Sequence, residues 1–202
     1  NSSAVDAAVI SPVDAVIVVT PYSVTYDGNA HTASGSATGV NGADLTSGLD
    51  LSATTHTNAG TYAGDAWTFE GGTNYNDASG TVDNAIARAT AVISVTGYTG
   101  VYDGLPHGAT GSATGNGSED LSALLDLGDS FTNVPGGTAN WSFAGDTNHA
   151  PASGSVPIVI TKSSGSIVIT NALDLAIAPT VSGESFQVVW SVTSTGGTPT
   201  GN

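Results

Sequence analysis

The chain has no cysteine and no methionine, and only 2 of its 202 residues are basic. Without cysteine there is no disulfide framework and no thiolate metal site. Without methionine there is no initiator residue, so the segment is expected to begin inside a longer precursor. Against Arg88 and Lys162 stand 17 acidic residues, giving a formal net charge of −15. Binding a phosphate backbone requires Lys and Arg to displace counterions, and anionic lipid attracts the same two residue types. Nucleic acid is therefore not an expected partner. Direct membrane insertion is not expected either: no apolar run approaches the roughly 20 residues of a spanning helix, and no signal-peptide pattern is present.

Strong helix formers other than alanine are also few. What fills the chain instead is Gly, Ser, Thr, Ala and Asn, with short Val, Ile, Thr, Tyr and Trp runs between Gly, Asn and Asp clusters. That pattern predicts many short strands and an all-β fold.

The chain repeats itself. An offset of 76 (102 − 26) lays Tyr26-Asp27-Gly28 on Tyr102-Asp103-Gly104 and His31 on His107. The same offset lays Gly35-Ser36-Ala37-Thr38-Gly39 on Gly111-Ser112-Ala113-Thr114-Gly115, and Leu49-Asp50-Leu51 on Leu125-Asp126-Leu127. Past a two-residue deletion the offset is 74 (141 − 67), pairing Trp67-Thr68-Phe69 with Trp141-Ser142-Phe143. A period of about 75 residues is too long for a solenoid unit and predicts a string of small self-contained domains. The expected layout is tandem small β-sandwich domains, Ig-like or β-grasp-like, arranged as beads on a string. Residues 1–13 are expected to be the last strand of a preceding repeat, 14–88 and 89–162 two complete repeat domains, and 163–202 an incomplete Ig-like domain.

Each motif carries a structural and a functional reading. Asp27-Gly28 and Asp103-Gly104 are hairpin-type turns, because Gly accepts positive φ and Asp tolerates it. Trp67 with Phe69, and Trp141 with Phe143, share one strand face and read as core anchors; sugar stacking is the competing role. Asp44, Asp50, Asp120 and Asp126 recur around a Leu-containing segment and are candidate calcium ligands, although the dense spacing of a calcium loop is missing. Their competing role is capping or turn formation. No other cofactor is expected. Arg88 and Lys162 align at the ends of the repeats as linker positions or as links between acidic domains. Only His31 and His107 of the four histidines recur, and no nucleophile elbow, phosphate loop or zinc helix is present. The chain is not expected to be an enzyme.

Residues 22–45, with Tyr26-Asp27-Gly28, His31 and the Gly-x-Ala-Thr-Gly run, resemble the YDG and MBG (mucin-binding-glycoprotein) type repeats of bacterial surface proteins. Thr55-His56-Thr57-Asn58-Ala59-Gly60-Thr61-Tyr62 and the Trp67 strand extend the resemblance, which covers about residues 14–162. It is looser in the second repeat, where Asn133-Val134-Pro135-Gly136-Gly137 replaces the Asn-Ala-Gly-Thr-Tyr turn. The segment from about 163 resembles the opening of a bacterial immunoglobulin-like domain. The resemblance implies a secreted or cell-surface structural protein of a surface layer, matrix, stalk or filament, or else an adhesin module binding glycans or a partner cell. Neighbouring copies of the same protein are the expected partner, with glycans second. Unpaired terminal strands would offer edges for strand donation between copies.

Overall fold

The computed structural model describes residues 10–168 and 191–194. Residues 1–9 of the expected preceding-repeat strand, and 169–190 and 195–202 of the expected incomplete Ig-like domain, lie outside the described residues. Regular structure in the described part consists of fourteen strands and short 3-10 turns, so the fold is all-β as the composition predicts.

The chain forms two compact units. The first holds the described residues up to Val92, together with Thr114–Leu121 and Ala144–Pro151. The second holds Ile93–Ala113, Ser122–Phe143 and the described residues from Ala152 onward.

Strands of the first repeat are β1 (Val16–Thr20), β2 (Ser23–Thr25), β3 (Ser34–Thr38), β4 (Leu49–Asp50), β5 (Gly60–Phe69) and β6 (Ala78–Ala87). They are followed by β7 (Val92–Thr96), β8 (Tyr98–Val101), β9 (Thr110–Thr114), β10 (Leu125–Asp126), β11 (Gly136–Phe143) and β12 (Ala152–Thr161). A further antiparallel pair is β13 (Gly165–Val168) with β14 (Ser191–Ser194). Each repeat builds one four-stranded sheet and one two-stranded ribbon in the same order: β2-β6-β5-β4 with β1-β3, then β8-β12-β11-β10 with β7-β9. The long central hairpins are antiparallel, whereas β2 on β6 and β8 on β12 run parallel. A tight turn cannot join parallel neighbours; here the crossover is made by strands and 3-10 turns rather than by an α-helix.

Alternation along the strands sets the core. On β6 the buried residues Val82, Asn84 and Ile86 are spaced by two, as one face of a pleated strand requires. On β12 the buried residues are Ile158 and Ile160. Phe69 and Phe143, closing β5 and β11, are almost completely buried, and each contributes about 1.5–3 kcal/mol by leaving water. Ala37 and Ala113 are buried in the sequence-equivalent ribbon strands β3 and β9.

Bridges locate the two residues by which the repeats differ in length. His31 bridges His56, and its counterpart His107 bridges Phe131 (131 − 56 = 75), so one residue is lost between Leu51 and His56. That stretch is the 3-10 turn Ser52–Thr54 in the first repeat. The second difference is a bulge between Tyr62 and Asp65 in β5; β11 pairs with β12 without interruption.

Candidate functional site

The Tyr-Asp-Gly motif is a turn in both repeats but not the tip of a hairpin as the Asp-Gly pair suggested, since β2 and β3, and likewise β8 and β9, lie in different sheets. Asp27 Oδ1 accepts the Asn29 N–H at 2.9 Å and contacts His31 Nε2 at 2.9 Å, while Gly28 takes φ +84°. Asp103 Oδ1 does the same with the Leu105 N–H and His107 Nε2, both at 2.9 Å, beside Gly104 at φ +82°. The Asn29 N–H first and the His31 ring second lower the Asp27 carboxyl to about 2. The Leu105 N–H and then the His107 ring lower that of Asp103. The carboxylate closes the turn and holds the histidine, a local use of Asp that also explains its frequency at turns.

All four histidines are paired with an aspartate: His31–Asp27, His56–Asp65, His107–Asp103 and His149–Asp146. Two of the rings lie flat on tyrosines, His56 on Tyr62 with centroids 3.5 Å apart and His107 on Tyr98 at 4.0 Å. The pairs position rings against the sheet.

His56 opens a cluster that distinguishes the repeats. Asp65 Oδ2 contacts His56 Nε2 at 2.9 Å and accepts from Asn84 Nδ2 at 2.7 Å. Asn84 Oδ1 accepts the Tyr22 N–H at 3.1 Å, and the Tyr22 hydroxyl donates to the Thr54 carbonyl. Asn84 and Thr54 are buried. The Asn84 amide, and to a smaller extent His56, lower the Asp65 carboxyl against the opposing effect of burial. Burial, and then the Asp65 charge, raise the Tyr22 hydroxyl. In the second repeat the three positions are Phe131, Ala139 and Ile158, all apolar, with Ala139 and Ile158 buried. A satisfied polar network in one repeat is thus an apolar core in its sibling. Pairing the repeats by single deletions instead of one double deletion would have exposed this in the sequence.

The calcium candidates act locally. Asp44 Oδ1 accepts the Thr46 N–H at 2.9 Å, Asp50 Oδ1 the Ser52 N–H at 2.8 Å, and Asp126 Oδ1 the Gly128 N–H at 2.9 Å. Those bonds lower the carboxyls of Asp44 and Asp50. Asp120 sits in a backbone bridge with Thr114, as Asp44 does with Thr38. Among the described residues no three His, Asp or Glu come together in a group that could hold a metal ion. Arg88 and Lys162 are exposed.

Trp67 and Trp141 are half-buried, not enclosed as the core reading expected. The fully buried anchors are Phe69 and Phe143, two residues on. Each indole lies over the glycine opposite it on the neighbouring strand, Gly80 for Trp67 and Gly154 for Trp141.

A last constellation belongs to the first unit, where Thr114–Leu121 and Ala144–Pro151 pack with the first repeat. The Ala59 N–H donates to Asn148 Oδ1 at 2.9 Å, Asn148 Nδ2 to Asn58 Oδ1 at 3.2 Å, and Asn116 Nδ2 to the Tyr26 carbonyl at 2.5 Å. The Tyr26 ring meets His149 edge-on, with centroids 5.5 Å apart. His149 is buried, with Nδ1 on Asp146 and Nε2 4.0 Å from Glu119. Burial pushes the Asp146 carboxyl up, but hydrogen bonds from His149 and Asn148 outweigh it and the net shift is downward.

No protein-family model matches the chain, and no curated protein matches it.

Proposed function

We propose that this chain is an extracellular structural repeat segment of a bacterial surface protein, serving in a surface layer, matrix, stalk or filament. In this reading residues 14–88 and 89–162 are sandwich-like domains of one array, of the YDG/MBG type that the Tyr-Asp-Gly run resembles. The observation that carries it is the duplication of a whole architecture, with the same sheet order in both repeats and Asp and His side chains used to close turns and seat rings. Spacing and surface are what such duplication supplies. The high negative charge favours solubility and disfavours nucleic-acid and anionic-lipid partners. Labelling cells of the source organism with antibodies to the chain tests the reading: label on an extracellular layer or fibre is expected. Label confined to the cell interior refutes it.

A further inference from the structure

Strand β1 has one open edge. It pairs with β3 from Val16↔Thr38 to Thr20↔Ser34 without a bulge, and among the described residues β3 is its only strand neighbour. The far edge of β3 is closed. The Ala37 N–H donates to Thr46 Oγ1 at 3.3 Å, the Ala37 carbonyl accepts the Leu45 N–H at 2.9 Å, and the Ala33 N–H donates to Thr54 Oγ1 at 3.0 Å. Ala37 thus turns both backbone groups away from β1. In an antiparallel ladder its opposite number Ile17, and Val19 two residues on, then turn theirs to the open side. A row of such groups is a template for a further strand.

The side chains guard this edge no better than the backbone does. Natural sheets blunt an edge with charge, proline or a bulge. Val16–Thr20 has none of these, and neither has Ser34–Thr38. Val16 and Val18 face outward and are 69% and 54% exposed, where the solvated face of an antiparallel strand ordinarily carries polar residues. The ribbon of the second repeat is built alike, and Val92 there is 74% exposed. In sequence the first ribbon has a whole repeat behind it and the second has one in front. The exposed ribbon is therefore a property of the repeat and not of its place in the chain.

We propose that β1 of one copy pairs antiparallel with β1 of a second copy, merging two ribbons into one sheet of order β3-β1-β1-β3. The inference rests on the ribbon and not on where the protein works. Charge selects a second copy as the occupant. In a chain of net charge −15, this uncharged ribbon is where two like-charged molecules meet with least repulsion. A twofold axis lets the same patch serve both sides. With that axis at Val18, Ile17 of each copy exchanges N–H and C=O bonds with Val19 of the other. Val18 then faces Val18 in a non-hydrogen-bonded pair, with Cα atoms roughly 4.5 Å apart. Strand β7 has Ser94 at the corresponding place (94 − 18 = 76), so the contact is assigned to β1. Strands of 5 residues bury less than the roughly 1,200 Å² of a stable interface, so the association is weak.

Sedimentation equilibrium of the full chain tests it, run up to about 1 mM, where weak binding registers. Salt of about 0.15 M limits the reach of the net charge to roughly 8 Å and leaves contacting pairs effective. The mean mass of the wild type is expected to rise with concentration toward that of a dimer. Val18→Asp and Val18→Lys each set like charges face to face across the axis, which opposes strand pairing; each alone is expected to stay monomeric. Mixed in equal amounts they set opposite charges face to face, and the dimer is expected to return. Position 18 points outward, and unchanged circular dichroism and melting show that the variants fold. A wild type monomeric throughout gives the edge to another protein's strand or to another part of the chain. Association undiminished by either charge places the contact elsewhere, and a mixture that stays monomeric denies that Val18 faces itself. Each of these overturns the proposal. None bears on cell-surface location, which the antibody labelling decides.

Discussion

Trp67 lies across the strand pair from Gly80 so closely that a methyl group on the glycine would stand 2.5 Å from Cζ2 of the indole. Trp141 and Gly154 reproduce the relationship at the same 2.5 Å. The missing side chain on one strand is the seat of the large ring on the other. Alanine is ordinarily better than glycine in a strand by roughly 0.5–1 kcal/mol. Here the sign reverses, because overpacking a filled site costs about 1–3 kcal/mol. Urea unfolding of Gly80→Ala and Gly154→Ala should each show destabilisation of that size. A gain in stability at either site contradicts the packing described.

The polar cluster of the first repeat makes a prediction about coupling. Replacing Asn84 alone by the isoleucine of its sibling strips the Tyr22 N–H and Asp65 of a partner in a buried place. Leaving buried polar groups unpaired costs about 1–3 kcal/mol, more when one is charged. His56→Phe, Asp65→Ala and Asn84→Ile together copy the apolar set Phe131, Ala139 and Ile158. The triple variant is expected to recover most of the loss, as buried polar sets replaced whole by apolar ones do. Denaturant midpoints of the single and triple variants read this directly; additive losses contradict it.

Acid should weaken the turns. The carboxyl of Asp27 is lowered from 3.8 to about 2, and those of Asp44, Asp50, Asp65, Asp103 and Asp146 are also lowered. Because the folded values lie below the unfolded ones, the stability these groups contribute is fully present above about pH 4 and drains as pH falls toward 2. Melting temperature should drop through that window, and the drop should be smaller in Asp27→Asn, which keeps the accepting oxygen without the titration. An equal drop in the variant assigns the acid sensitivity elsewhere.

Much of the architecture was legible because it was written twice. The matched Tyr-Asp-Gly, Gly-x-Ala-Thr-Gly and Trp-x-Phe runs identified the repeat, and period-two alternation placed Phe69 and Phe143 on the inner face. Alternation assigns a face but not a depth, so the indoles two residues earlier were expected inside and are half-buried over glycines. Turn chemistry was readable at Asp27 and Asp103, since Asp-Gly carries its own backbone preference. The His56, Asp65 and Asn84 cluster was not, because its members come from three distant segments whose alignment to the second repeat depends on two separate single-residue shifts. The packing around His149 was hidden for a similar reason: the Asn116 and Asn148 contacts span 90 positions (116 − 26 and 148 − 58).

The central claim is that each repeat is held by its own phenylalanine-anchored sheet. Hydrogen exchange of Phe143→Ala, read amide by amide, tests it most directly. Truncating a buried phenylalanine costs about 3–5 kcal/mol, enough to raise local opening by orders of magnitude. Protection should fall across Gly136–Phe143 and Ala152–Thr161 while Gly60–Phe69 and Ala78–Ala87 keep theirs. Equal loss in both pairs of strands would mean that one shared core holds the chain, and would contradict the account.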